Sequence, residues 1–369
     1  MRGSESSLLA TARNPTKIAL VSPLWEATPP KLYGGTERVV GYLAEALVEL
    51  GHDVTLFGTG DSKTRAKLVA VRDQALRLDS NPLKSDIAAH LGLLHEVRRQ
   101  AAAFDAVHFH TDMLHFPFFA DMAERTLTTV HGRLDLKDLP DVYRRWPDFP
   151  LASISNSQRG PLRFANWAGT VYHGLPADLY RFSAAPSGGH LAFLGRISPE
   201  KRPDRAIAIA KRAGIPLKIA AKVDAGDVGY FQEVIKPLIK GPLVEFVGEI
   251  NDREKSELLG DAIALLFPIE WPEPFGLVMI ESMACGTPVI ATARGSAPEI
   301  VEDGVTGCFI DSESAAVAAI ERAAGLNRFR IRREFERRFS SIAMANNYLR
   351  LYHRLAGGAA VAEELRSVG

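Results

Sequence analysis

The stretch EWPEPFGLVMIESMACGTPVIA, residues 270–291, decides the fold. It follows an apolar run at 264–267, so a buried strand enters a proline-rich turn. A helix opens near Gly276 and stops at Gly286, and a second apolar run, 288–291, leaves as the next strand. Strand, helix and strand in that order form one unit of a parallel sheet. Working outward, the same alternation fills the second half of the chain. Strands are predicted at 191–194, 217–221, 244–247 and 307–310. Helices are predicted at 203–213, 230–240, 252–259, 276–284, 296–302 and 313–324. Pro203 suits a first helical turn, and Gly214 suits a helix end.

The first half repeats the pattern. A strand at 18–21 is followed by a long proline-rich loop that ends Tyr33-Gly34-Gly35. Thr36 is read as the N-cap of a helix carrying Val39, Val40, Leu43, Ala46, Leu47 and Leu50, with Gly51 as its stop. A strand at 54–57 follows. Apolar runs at 106–110, 128–132 and 152–157 turn polar at their carboxyl ends, as strands do when a site lies along that edge of an open sheet. The linker composition Pro186-Ser187-Gly188-Gly189 falls in a break at 178–189. The expected organisation is a flexible leader at 1–16 and an N-terminal Rossmann-like domain at 17–180. A C-terminal Rossmann-like domain follows at 181–335, and a helix at 336–356 returns to complete the first. The tail 327–355 reads as helical, with Ile331, Phe335 and Phe339 on one stripe and a frayed end after Leu355. Six arginines lie between 328 and 339. They fit a membrane-surface helix, or an amphipathic helix packed on a domain with a solvated face; the second is favoured because charged helix faces are common.

Composition bounds the function. The chain has 369 residues, which suits two domains, and 46% hydrophobic with 24% charged residues, which is globular. Lys+Arg and Asp+Glu are 44 each, so no bulk charge favours nucleic acid as a partner. Two cysteines make no disulfide framework and suit a reducing compartment. No apolar run reaches the ~20 residues of a membrane span. A cytoplasmic protein is expected.

Four groups of residues carry candidate chemistry. Glu273 stands before the helix start at Gly276, and Glu281 lies about a turn and a half inside the helix. Free N–H groups at a helix start bind anions, and a carboxylate accepts both hydroxyls of a sugar diol. A turn acid and a solvated helix carboxylate would satisfy the same spacing. Arg196 and Lys201 sit on the loop after the first strand of the second half, where cations could neutralise a pyrophosphate. Read alone, a loop that also carries Arg202 and Arg205 is the pattern of a solvated basic surface. Gly34-Gly35 would let a ligand approach the backbone, or would simply make a tight turn. His131 sits at a strand's carboxyl edge, where a binding role and a structural one are equally open. Asn156, Ser157 and His173 share that edge. His108, His110, Asp112 and His115 resemble metal ligands in type, with His108 and His110 on one face of a strand. No cysteine or second histidine motif completes a shell, so they read as structural and no metal is assigned.

At these residues the sequence resembles family 4 of the retaining glycosyltransferases. Glu273-x7-Glu281 is the signature, with Pro274-Phe275-Gly276-Leu277 after the first Glu and Ala284-Cys285-Gly286-Thr287-Pro288-Val289 after the second. Gly195-Arg196 with Glu200-Lys201 is a second mark. Tyr33-Gly34-Gly35-Thr36-Glu37, Thr129-Val130-His131-Gly132 and Ile154-Ser155-Asn156-Ser157 match the first-domain pattern. The resemblance implies the α/β GT-B fold, two facing Rossmann-like domains with a terminal helix crossing back. It implies transfer of a hexose from a nucleoside diphosphate sugar, UDP-glucose-like or GDP-mannose-like, to an acceptor hydroxyl, with retention and without metal or cofactor. Arg196 and Lys201 would hold the diphosphate with backbone around Phe275, Gly276 and Leu277. Glu281 would bind the ribose, and Glu273 the donor sugar. His131 would approach that sugar, Gly35 and Gly34 would border phosphate and acceptor, and Asn156 would lie on the sugar side. One departure marks this chain: Arg202 follows Lys201 where the family often has glycine. A GT-B epimerase and a non-catalytic sugar-nucleotide module are the alternatives. A phosphorylase lacks its cofactor-lysine context here, and a nicotinamide dehydrogenase lacks its glycine fingerprint.

Overall fold

The computed structural model describes residues 15–31, 34–81 and 85–367, with side chains described through residue 357. The leader expected at 1–16 lies outside the described residues except for its last two. Among the described residues thirteen strands form two parallel sheets. The first holds β1 (Lys17–Val21), β2 (Asp53–Thr59), β3 (Lys67–Arg72), β4 (Ala106–Phe109), β5 (Thr126–Thr129), β6 (Leu151–Ser153) and β7 (Trp167–Thr170), in the order 3-2-1-4-5-6-7. The second holds β8 (His190–Arg196), β9 (Leu217–Lys222), β10 (Val244–Gly248), β11 (Ala262–Phe267), β12 (Val289–Thr292) and β13 (Gly307–Ile310), in the order 10-9-8-11-12-13. Strand order reverses between β1 and β4 and between β8 and β11. In open α/β sheets that reversal splays the following loops apart and opens a crevice at the carboxyl ends. The loops carrying the candidate residues follow β1, β4, β5 and β6 in the first sheet and β8 and β11 in the second.

Local chemistry explains where helices begin and end. The Pro203–Ala213 helix starts on proline, which has no N–H to leave unsatisfied, and ends at Gly214 with φ +68°. The Glu313–Ala324 helix is capped by the Ser312 hydroxyl, which accepts from the Ala315 N–H at 3.2 Å. The helix expected at 230–240 spans 228–238 instead. Pro237 has no N–H to donate, and a π-type turn over Phe231–Ile235 adjusts the ladder just before it. The Gly35–Glu49 helix is capped by Gly34, so Thr36 lies inside the first turn and is not the cap. β3, β7 and the Asp86–Gln100 helix are additions to the sequence reading.

The tail is two helices, not one. Arg328–Phe339 packs on the second half and Ser341–Ser367 on the first. The break at Ser340 has a cause in the main chain. Leu175 donates to the Phe339 carbonyl at 2.9 Å, and Ser341 donates to the Leu175 carbonyl at 2.8 Å. Gly174 lies so close that a Cβ there would stand 2.4 Å from the Ser340 oxygen. The crossing point is therefore Ser340, inside the expected helix 336–356, and the Ser341–Ser367 helix runs past the fraying point expected at Leu355.

Three of the six arginines are used inside the molecule. Arg332 donates to the Ala284 carbonyl at 2.6 Å, and Arg338 to the Ile300 carbonyl at 3.2 Å. Arg328 is 7% exposed and donates to the carbonyls of Ser183 (2.8 Å), Ala262 (3.1 Å) and Gly260 (2.9 Å). This is the packed-helix reading. No helix among the described residues is long and apolar enough to cross a membrane. Arg328→Ala strands three buried acceptors, so a loss on the order of 3 kcal/mol is expected in denaturant unfolding. A variant with wild-type stability would show that water replaces the guanidinium there.

Candidate active site

A cleft of about 780 Å3 lies where the carboxyl edges of the two sheets face each other. Two helix starts meet across it, Gly34-Gly35 and Gly276-Leu277. A Cβ on Gly35 would stand 3.9 Å from Leu277 Cδ1. Gly276 adopts φ +81°, and a Cβ there would meet Met279 Cε at 2.8 Å and Phe267 Cζ at 3.0 Å. Glycine is thus required at the turn into the Leu277–Ala284 helix. Both helix starts aim N–H groups and positive dipole ends into one space, which suits an anion.

The turn carrying Glu273 is held from three sides. Thr292 Oγ1 donates to the Ile269 carbonyl at 2.5 Å, Ser296 Oγ to the Phe275 carbonyl at 2.6 Å, and the Ser296 N–H to the Glu273 carbonyl at 3.0 Å. Gly295, with φ +56°, has no room for a side chain, because a Cβ would stand 2.4 Å from Glu273 N. Glu273 is 9% exposed. Its Oε2 accepts from Trp271 Nε1 at 2.8 Å and forms an ion pair with Lys201. The Lys201 ammonium also lies 5.1 Å from the Trp271 ring centre, and the Arg133 guanidinium 5.6 Å from it. Arg196 ends β8 and faces Glu200 at 3.3 Å and Asp224 at 3.4 Å. Arg202 has φ +56°, so the position that breaks the glycine pattern is left-handed. Its guanidinium binds Asp204 at 2.9 Å and pairs with Glu270, which holds a conformation costly to a side chain.

Glu281 lines the far wall, with its side chain 4% exposed. Oε1 accepts from Lys255 Nζ and from the Tyr180 hydroxyl, each at 3.2 Å. Burial pushes the Tyr180 pKa far up, so this hydroxyl stays a donor. Tyr180 also reaches Asp252 at 3.1 Å, and Asp252 pairs with Arg38 of the first half at 2.7 Å. Glu281 Oε2 is buried and has no partner among the described residues. A buried carboxylate oxygen without a donor is costly, so this oxygen is primed for a hydroxyl from a ligand.

His131 reaches the cleft from the loop after β5. Its Nε2 lies 2.8 Å from His110 Nδ1, and its ring stacks on His173 at 5.2 Å. His173 in turn lies edge-on to Phe275 at 4.8 Å. Behind His110 stands His108, which binds Tyr352 and Thr129 at 2.7 Å each, tying the cleft to the terminal helix. His115 leaves this group and stacks on Phe109. Among the described residues no set of three or more His, Cys, Asp or Glu is placed to hold a metal ion. One edge of the His131 ring reaches the cleft, yet burial of the rest pushes its pKa down to about 3. Burial, aided in all but His115 by neighbouring imidazoles, holds His108, His110, His115 and His173 well below the usual range.

A pH dependence follows. A folded imidazole with a lowered pKa stays neutral while the unfolded chain takes up protons below about 6.5, so the stability it contributes is full above that value and is lost as pH falls. Each ring that stays neutral to pH 5 removes about 2 kcal/mol relative to pH 7. Burial raises the pKa of Glu26 and Glu37, and pushes that of Asp112 up to about 6; these act in the opposite sense, but the five imidazoles outnumber them. Melting temperature should therefore fall steadily from pH 7 to pH 5. A flat profile would contradict a neutral histidine cluster.

The structure brings Glu273, Glu281, Arg196, Lys201, Phe275, Gly276, Leu277, Gly34, Gly35 and His131 to this one cleft. Asn156 is not in its wall. Its N–H and that of Ser157 each donate to Glu299 at 2.7 Å, a contact between the two halves. Tyr33 lies outside the described residues. Trp271, Arg38, Asp252, Lys255 and Tyr180 were missed in the sequence. Trp271 was legible as the aromatic near Glu273; the others come from three segments with no local pattern, Asp252 and Lys255 sharing one helix.

Comparison with known proteins agrees with this fold. Residues 33–169 match the family described as Glycosyltransferase Family 4, and residues 186–340 match Glycosyl transferases group 1. The D-inositol 3-phosphate glycosyltransferase of Mycolicibacterium smegmatis is 33% identical over 124 residues, covering 33% of this chain and 29% of that protein. Its counterpart from Mycobacterium marinum is 31% identical over 141 residues, covering 36% of this chain and 30% of that protein. The chain thus matches less than a third of the length of these relatives. The crystal structure of AviGT4, a glycosyltransferase involved in Avilamycin A biosynthesis, superposes with a TM-score of 0.71 at 26% identity, over 93% of this chain and 99% of that one. Sucrose-phosphate synthase from Thermosynechococcus elongatus gives 0.73 at 20% identity, over 93% and 100%, a likeness of fold.

Proposed function

We propose that this chain, which belongs to the GT4-type glycosyltransferases, moves a hexose from a nucleoside diphosphate sugar to an acceptor hydroxyl with retention of anomeric configuration. The observation that carries the reading is Glu281 Oε2, a buried carboxylate oxygen that lacks a donor and stands beside a phosphate-type helix start. A ribose diol supplies that donor. The diphosphate then lies against the N–H groups near Leu277, within reach of Arg196 and Lys201, and Glu273 meets the hydroxyls of the sugar. The anomeric C–O bond breaks, and negative charge on the leaving diphosphate falls beside these cations. The acceptor oxygen forms the new bond on the same face, and its proton passes to a diphosphate oxygen. His131 stays a neutral hydrogen-bonding group over the working pH range, because its pKa is about 3. The protein's own cations supply the charge that a metal supplies elsewhere, so turnover should survive excess EDTA.

Calorimetry with nucleoside diphosphates tests the reading. Glu281→Ala should weaken binding by roughly 10- to 100-fold, the worth of a charge-assisted hydrogen bond. Equal affinity in the two proteins would remove the ribose from this wall. Proton NMR of the product reads the anomeric configuration, and an inverted linkage would reject retention.

A further inference from the structure

A second cavity of about 500 Å3 opens from the donor cleft into the first half, between the loops after β1 and β4 and the Asp86–Gln100 helix. The two spaces share Gly34, Gly35, Thr36, His131 and Gly132, so a molecule in the cavity presents its end to the donor sugar at His131. Their charges differ in sign. Among the described residues, seven cationic and five acidic side chains line the donor cleft. The described lining of the second cavity has Glu37, Asp86 and Asp112 against one cation, Arg77, which is already paired with buried Glu26 at 3.1 Å. Its outer part is apolar and wet: Trp25, Ile87, Leu91 and Leu114 are 42%, 61%, 45% and 44% exposed, and all four line it. Large apolar groups gathered around one cavity and left in water mark a binding surface. Deeper in, Thr111 Oγ1 and His110 Nε2 are buried and have no partner among the described residues, although the residues are only 5% and 3% exposed.

We propose that this cavity takes an uncharged polyhydroxy acceptor carrying an apolar group, and that it rejects phosphorylated acceptors. The inference rests on the glycosyltransferase reading and names its acceptor class. Thr111 and His110 hold hydroxyls of the acceptor, and the acceptor's apolar group covers Trp25, Ile87, Leu91 and Leu114. A phosphate would meet three acids and an arginine that is already paired. Such a site differs in kind from one for an inositol phosphate, the acceptor in the name of the curated relatives.

Saturation-transfer NMR on the wild-type chain, with phenyl β-glucoside, methyl β-glucoside and inositol 3-phosphate as probes, tests this without requiring turnover. The phenyl glycoside should bind at least about tenfold more tightly than the methyl glycoside, and inositol 3-phosphate most weakly. In Ile87→Gln/Leu91→Gln, a pair of exposed positions that leaves the core intact, the phenyl preference should vanish. Preference for inositol 3-phosphate, equal binding of the two glucosides, or no binding of any probe at about 10 mM would overturn the proposal. The readout needs no donor, so failure of the nucleotide-sugar reading, seen by calorimetry, is distinguished from failure of this one.

Discussion

Lys201→Ala is expected to lower turnover by roughly 10²- to 10³-fold, the scale for loss of one preorganised charge at a developing anion. Lys201 has two partners among the described residues, the Glu273 carboxylate and the Trp271 ring. Its removal therefore does two things. On the proposed function it takes a cation from the diphosphate, and it leaves Glu273, 9% exposed, without its counter-charge. A fall in rate alone does not separate these causes. Nucleoside diphosphate affinity in the double variant Lys201→Ala/Glu273→Ala does, because loss of Glu273 from the sugar slows turnover in either case. If Lys201 served only to neutralise Glu273, removing both would return the affinity to the wild-type value. If the ammonium meets the diphosphate, the double variant stays roughly tenfold weaker or more. Unfolding of each variant is followed alongside. Recovery of the affinity in the double variant would sink the diphosphate role.

The residues of this pair were legible in the sequence; their mutual contact was not. Glu273 and Lys201 each announce themselves locally, one before a helix start and one on a basic loop, but 72 positions separate them. Only the sheet order that sets β8 beside β11 brings the loops together. The same limit explains Glu281. Its place on a helix was readable from spacing, while Lys255 and Tyr180 contact it from two other elements, and Asp252 and Arg38 join through them, with no motif of their own. In the fold, elements with strong end signals were read to the residue: proline and glycine bound the Pro203–Ala213 helix, and a serine cap opens the Glu313–Ala324 helix. Elements fixed by tertiary packing were not. β7 reads Trp-Ala-Gly-Thr with no alternation, and its Gly169 sits so close to Leu351 that a Cβ would stand 2.8 Å from Cδ2. The break at Ser340 is invisible in an apolar stripe that continues from Phe339 to Tyr348, because its cause is the strand-like segment at Gly174-Leu175.

Glu273→Gln is expected to cost turnover at least about 10²-fold while leaving nucleoside diphosphate affinity within a few-fold of wild type. The amide keeps the shape and one acceptor oxygen, and the turn is held by main-chain contacts from Ser296 and Gly295 that the substitution does not touch. What changes is charge. A carboxylate facing the sugar stabilises positive character at the reacting carbon as the diphosphate departs, and a neutral amide does so far less. The substitution also frees Lys201 from its resting partner, so the ammonium is more available to the diphosphate. The two effects point in opposite directions: binding of the nucleotide improves or holds, while the chemical step slows. A purely structural role for Glu273 would instead weaken both together, through a displaced turn and a misplaced Leu277–Ala284 helix start. Parallel calorimetry and rate measurements separate the cases. Loss of nucleotide affinity matching the loss of rate would move Glu273 from the sugar to the framework of the site.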